Sequence, residues 1–260
     1  MDTYIRMEKI DPDRRSPRAE GFWEKNILPK EIAGVTTNYA IIEKEKEHTL
    51  QPYATEGRAR ARVILFTRGR CMISVPNRTY KVKEMAIFCP TLDTAVTVNA
   101  EDCDIEYLEV LIDLTQTEST NRESTNKKLP FFLHYSECDR YREEIKSDKS
   151  INRTFLPVDI IPRLAIGSVE TVGPDTVEAH RHPMLEQLFY GLPGNHCCLK
   201  VDEQEVAFEE NVLLHIPLGS VHGVGVEEDN ILHYLWLDFF RSERDTSYIA
   251  DSHIPIDLND

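Results

Sequence analysis

The segment VEAHRHPMLEQLF, residues 177 to 189, sets two histidines one residue apart and a glutamate four residues further on. Imidazole nitrogens and a carboxylate oxygen are donors that divalent transition metals take from proteins. On a helix His180 and His182 would face away from each other, because residues two apart lie about 200° around the axis. Pro183 also lacks the N–H that a helix interior needs. On a strand the same two residues share a face. The β reading therefore gathers the imidazoles, and a turn at Pro183 lets Glu186 open the next strand on the same inner face. Downstream, IPLGSVHGVG carries a tight turn at Pro217 and Gly219, with His222 three residues after the glycine. That turn returns His222 toward the first pair. His180, His182, Glu186 and His222 are thus the candidate ligands of one divalent transition metal: Mn, Fe, Ni, Zn or Cu. With no thiolate in the set, the group does not read as a structural zinc site.

Alternation from Glu186 turns Leu188 and Tyr190 inward as well. Tyr190 is then the candidate catalytic residue, as a hydrogen-bond donor to substrate or a general acid. The same parity sends Arg181 and Gln187 away from the cavity. Glu178 shares parity with His180 and reads as a solvated carboxylate. His215 and His233 read as packed strand residues, and Trp236 as part of a core or interface.

The elements that must position these residues are short and β-rich. ARVILFTRG, RCMISVP, MAIFCP, AVTVNA and IEYLEVLIDL occur early, then PRLAIGSVETV, EQLFYGL, CCLKVD, NVLLHIP and ILHYLWLDFF. Runs of this length, rich in β-branched and aromatic residues and bounded by Gly, Pro, Asn and Asp, predict an all-β sandwich or barrel. The second set echoes the first. Gly69 and Gly194 end matching runs 125 residues apart, and Pro90 and Pro217 close matching runs 127 apart. At the same offset of 127, Tyr107 falls on Tyr234 and Leu108 on Leu235. An internal duplication accounts for this. The expected organisation is an N-terminal arm over 1–35, a first barrel over 36–114, a linker over 115–159, a second barrel over 160–241 and an extended tail over 242–260. In the linker, Thr115 to Lys128 reads as an exposed polar loop, and SECDRYREEI as a short helix capped by Ser136.

Composition bounds the partners. A formal charge of −15 over 260 residues, from 45 acidic and 30 basic side chains, repels phosphate backbones, so nucleic acid is not an expected partner. No apolar run approaches the ~20 residues of a membrane helix, and the N-terminus has no apolar signal core. The expectation is a cytoplasmic protein without membrane contact. Its six cysteines form no CxxC pair and read as reduced thiols, with Cys197 and Cys198 on opposite faces of a strand.

HRHPMLE followed by PLGSVH resembles the two metal-binding motifs of the cupin superfamily, G(x)5HxH(x)3,4E(x)6G and G(x)5PxG(x)2H(x)3N. His180, His182 and Glu186 stand at the ligand positions of the first motif and His222 at that of the second, with Pro217 and Gly219 at its turn. Gly173 and Gly194 sit one residue too far out, Asn211 replaces the leading glycine of the second motif, and Val226 its final asparagine. With the duplication, the resemblance implies a bicupin of two jelly-roll barrels. Shifted by the repeat, the four ligand positions fall in the first half on Thr55, Gly57, Ala61 and Ala95. The first barrel is therefore expected to be degenerate, with the metal only in the second. The resemblance does not select a reaction. It implies a metal-dependent enzyme acting on a small oxygen-rich metabolite such as a sugar, sugar acid or keto acid. The alternative is a metal-containing binding or sensing protein without turnover. Duplicated barrels with exposed strands also lead us to expect a homodimer.

Overall fold

The alternating and continuous apolar runs pair into antiparallel sheets, whose hydrogen-bonded ladders satisfy the backbone while one or both faces are buried. The computed structural model describes residues 5–11, 20–55, 58–121, 124 and 126–256. The chain divides into two compact units, Asp11–Glu137 and, in the other, Met1–Ile10 with Cys138–Asp260. Of the expected N-terminal arm, residues 1–4 and 12–19 lie outside the described residues, as do Gly57 and the last four residues of the tail.

Strand β1 (Arg6–Lys9) belongs to the second unit. The first unit contains β2 (Phe22–Ile27), β3 (Val35–Ile42), β4 (Glu47–Leu50), β5 (Ala54–Thr55), β6 (Arg58–Arg68), β7 (Cys71–Val75) and β8 (Arg78–Val82). It continues with β9 (Ala86–Cys89), β10 (Val96–Ala100), β11 (Ile105–Asp113), helix α1 (Gln116–Thr120) and β12 (Phe131–His134). Its larger sheet runs β12-β9-β6-β11-β3-β2, with β5 beside β6, and its smaller sheet runs β4-β10-β7-β8. Between them lies an apolar core that includes Ile64, Phe66, Ile73, Phe88 and Tyr107. On the same face of the larger sheet as Ile64 and Phe66, Arg62 Nε meets Glu109 Oε1 at 2.9 Å, and Asn38 Nδ2 donates to Glu109 Oε2 at 2.9 Å.

The second unit adds β13 (Asp139–Arg142), β14 (Ile151–Ile161), β15 (Leu164–Val172), β16 (Asp175–His180), β17 (Leu185–Gly191), β18 (His196–Val201) and β19 (Gln204–Glu209). Then come β20 (Val212–Ile216), β21 (His222–Val226), β22 (Ile231–Phe240), helix α2 (Ser247–Ser252) and β23 (Ile254–Pro255). Its larger sheet runs β1-β20-β17-β22-β15-β14-β13-β23 and its smaller sheet β16-β21-β18-β19. Phe189, Phe208, Leu214, Tyr234 and Trp236 are among the side chains that fill the space between them.

Three local expectations are corrected. The segment from Ser136 is not a helix: a 3-10 turn at Tyr135–Glu137 leads into β13, where Tyr141 is buried between exposed Arg140 and Arg142. That is a period of two, which suits a strand. The Ser136 hydroxyl bonds the Glu84 carboxylate instead of capping. The helix of this region lies earlier, inside the stretch expected to be a loop. Thr115 and Glu118 form a reciprocal capping box at the start of α1, which matches the S/T-x-x-E signature. The tail is not simply extended either, since it contains α2 before β23 pairs with β13. All six cysteines are free thiols.

Candidate metal centre

His180 ends β16 and His222 begins β21, and the two residues lie directly opposite each other in the ladder. The register shifts between Val177 and His180, a bulge that re-aims the end of the strand. Gly223 makes room for it: a Cβ there would come within 3.0 Å of the Val177 carbonyl oxygen and 3.2 Å of Ala179. His182 follows in the connection to β17, and the Gly219 N–H donates to its carbonyl at 3.1 Å. Gly219 has φ +75°, a conformation that favours glycine, so the PxG turn fixes both His222 and His182. Asn211, standing where a glycine would lead the second motif, also has positive φ, at 58°. Asn is among the few side chains that tolerate it.

The three imidazoles converge. Ring centroids are 4.8 Å apart for His180 and His182, 4.3 Å for His180 and His222, and 5.3 Å for His182 and His222. One donor nitrogen from each lies within 4.8 Å of the others. Among the described residues this is the only group of three or more His, Cys, Asp or Glu side chains so arranged. A carbonyl can only accept, so the bond of His180 Nδ1 to Glu178 O (2.7 Å) and of His222 Nδ1 to Ser220 O (3.2 Å) fix the protons on Nδ1. Each Nε2 is thereby left with its lone pair, the tautomer a metal ligand needs. His182 Nδ1 and His222 Nε2 are buried without a hydrogen-bond partner. Burial, reinforced by the neighbouring imidazoles, holds His182 down to about 3 and His222 to about 4, and burial lowers His180 as well. All three are therefore neutral at neutral pH, and a divalent cation would meet lone pairs instead of protons.

Glu186 does not join them. Within β17 the residues that face the cavity are Gln187 and Phe189, opposite Asp238 and Trp236 of β22. Glu186, Leu188 and Tyr190 take the other face. The Glu186 carboxylate lies 3.9 Å from His215 Nε2, and the Tyr190 hydroxyl donates to Asn211 Oδ1 at 3.1 Å. The parity expected for β17 is thus off by one residue, which exchanges the two faces completely. Arg181 and Glu178 are exposed, and His215 and His233 are not cavity residues.

The sequence reading missed the opposite wall. Loop residues 143–146 run along β16, with Glu178 N donating to Ile145 O at 3.0 Å and Lys146 bridging to Val177. This carries Glu143 and Lys146 into the cavity as an ion pair at 2.5 Å, both side chains under a tenth exposed. From the C-terminal segment, His253 stacks on Tyr141 (3.9 Å, 14°) with its Nε2 4.0 Å from Glu143, and Tyr248 meets His182 edge-on at 5.1 Å. Asp238 is wholly buried and pushed up to about 7 by desolvation, while the hydrogen bond from Gln187 lowers it. The space enclosed is small, about 30 Å³, which suits one or two waters or an ion with a very small ligand.

No family model matches the sequence, and no curated protein matches it. Solved structures do. A cupin 2 conserved barrel domain protein from Leptotrichia buccalis superposes with a TM-score of 0.59 at 13% identity, covering 92% of this chain and 99% of that one. The formate complex of Lactobacillus farciminis oxalate decarboxylase gives 0.64 at 13% identity, covering 99% and 87%. A putative glyoxylate-induced protein from Pseudomonas aeruginosa gives 0.68 at 9% identity, covering 86% and 82%. The fold is therefore the all-β cupin fold. At such identities the likeness speaks to fold and not to reaction. No helix among the described residues is long and apolar enough to cross a membrane.

Proposed function

We propose that the second unit holds one divalent transition metal on His180, His182 and His222, and that the protein is a metal-dependent enzyme acting on a small oxygen-rich metabolite: a sugar, sugar acid or keto acid. The observation that carries this is the convergence of three neutral imidazoles, two with orphaned buried nitrogens, in an otherwise walled cavity. When bound, the ion supplies a Lewis acid that polarises a substrate oxygen or lowers the pKa of a water. The chain's own groups face that position. Glu143, held by Lys146 and close to His253, is positioned to take or return a proton. Burial pushes the Tyr248 hydroxyl up to about 12, so it stays protonated and can donate to a substrate oxygen. Phe189, Trp236 and Tyr234 line the same space with apolar surface and limit the water it can hold.

We read the chain as a bicupin. The sheet orders β12-β9-β6-β11-β3-β2 and β4-β10-β7-β8 of the first unit repeat as β1-β20-β17-β22-β15-β14 and β16-β21-β18-β19 of the second. In the first unit the interior carries the paired Arg62, Glu109 and Asn38 in place of open nitrogen donors, which supports one metal per chain. We further propose a cytoplasmic homodimer whose partner molecule is small, with neither nucleic acid nor membrane as a target.

The test is to load the metal-stripped protein with Mn, Fe, Ni, Zn or Cu in turn and follow a panel of sugars, sugar acids and keto acids by proton NMR. Conversion by the loaded protein that disappears in His222→Ala supports an enzyme. The second reading is a metal-containing binding or sensing protein without turnover. Ligand-induced changes at the metal without conversion would establish that reading instead.

A further inference from the structure

We infer that Gln187 supplies the fourth donor of this site, through its amide oxygen, and that Asp238 is the positioning residue that keeps that oxygen turned toward the histidines. The inference rests on the metal reading above. Gln187 sits on the inner face of β17, in the wall of the cavity that His180, His182 and His222 share. Its Nε2 donates to Asp238 Oδ1 at 2.8 Å, in a buried contact between directly paired residues of β17 and β22. Ionised, the Asp238 carboxylate only accepts, so it takes the amide nitrogen of Gln187, the arrangement the structure has. Against the ionised carboxylate, the opposite flip would set two acceptors against each other at 2.8 Å. The amide oxygen is therefore directed away from Asp238, and Gln187 Oε1 is buried with no hydrogen-bond partner.

The unsatisfied buried atoms around this small cavity include Gln187 Oε1, His182 Nδ1 and His222 Nε2, beside Tyr141 Oη, His253 Nδ1 and Trp236 Nε1. Gln187 Oε1 and His222 Nε2 present lone pairs, and His182 offers one from whichever ring nitrogen is unprotonated. A buried acceptor without a partner costs on the order of 1–3 kcal/mol. No donor from the chain reaches them, whereas a single cation would satisfy oxygen and nitrogens together. Three imidazoles and an amide oxygen are all neutral, hence a set that leaves the ion's charge undiminished and suits Mn, Fe, Co, Ni or Zn. Glu186 has no such claim, since its carboxylate lies near His215 on the opposite face.

The test uses the full chain stripped of metal and titrated with Co²⁺, following the visible d–d absorption and obtaining Kd by chelator competition. The expected result for the wild type is one equivalent of Co²⁺. Gln187→Leu should raise Kd tenfold or more and alter the d–d bands, while Glu186→Leu leaves both within twofold. Asp238→Asn, which keeps an oxygen acceptor for the Gln187 amide, should remain near wild type, and Asp238→Leu should lose about tenfold. If Gln187→Leu fails to fold, Gln187→Glu replaces it: exchanging amide for carboxylate should shift the bands, and Glu186→Gln should not. Unchanged affinity and bands in both Gln187 variants, with His182→Ala losing the ion, would overturn the assignment while leaving the histidine site intact. Failure of the wild type to bind Co²⁺ would overturn the metal reading and this inference with it.

Discussion

The interior charge network of the first unit yields a prediction with a magnitude. Arg62 and Glu109 are 5% and 0% exposed and lie 2.9 Å apart. At an effective dielectric of about 20, two unit charges at that distance attract by roughly 6 kcal/mol. Desolvation of both ions consumes much of this, so the net worth of the pair is small. Removing one partner is different, because the survivor keeps its desolvation cost and loses its compensation. Arg62→Met and Glu109→Leu should each destabilise by about 3–5 kcal/mol. In Glu109→Leu, Asn38 Nδ2 also loses its acceptor. The double variant should cost far less than the sum of the singles, because no unpaired charge remains. Urea denaturation of all four proteins, fitted with a common m-value, measures the cycle. Additive single effects, or singles costing under about 1 kcal/mol, would refute the claim that a paired charge network fills this interior.

Other expectations follow from the second unit. His182, His222 and His253 are held by burial at about 3, 4 and 4, against about 6.5 in an unfolded chain. The unfolded state then binds more protons below pH 6.5, so metal-free stability is full above about pH 7 and falls with acidification toward pH 4. The loss at pH 5 is about 2 kcal/mol per histidine, measurable as a declining urea midpoint. Tyr190→Phe should cost about 1 kcal/mol, the worth of its bond to Asn211, and leave metal affinity unchanged in the same titration used for the histidines. Gly223→Val should weaken metal binding at least tenfold, because a side chain there presses on the bulge that aims His180. Calorimetric titration with Zn²⁺ reads that loss directly.

How far the sequence could be read follows from which physical signals it carries. The strands were legible because their runs are bounded by Gly, Pro, Asn and Asp, and the three histidines because HxH cannot converge on a helix and PxG marks a turn, although only His180 of the pair lies in a strand. Glu186 was misplaced because β17 is buried on both faces. Leu188, Phe189 and Tyr190 are each almost fully buried, so no polar–apolar alternation marks which side is inward. Glu143, Lys146, Tyr248 and His253 were illegible for another reason. They reach the cavity from a loop and from the C-terminal segment through tertiary pairing, which local pattern does not encode. The misread helix at Ser136 shows local capping chemistry overridden by strand pairing, with Arg140 opposite Arg153 of β14.

The central claim is that three imidazoles share one cation. Its most direct test is elemental analysis of the purified, dialysed chain beside a His182→Ala/His222→Ala variant of matched thermal stability. The account predicts one divalent transition-metal ion per chain in the wild type and under a tenth of that in the variant. Equal metal content in the two proteins, or none recoverable in the wild type after incubation with Mn, Fe, Ni, Zn or Cu, would contradict it.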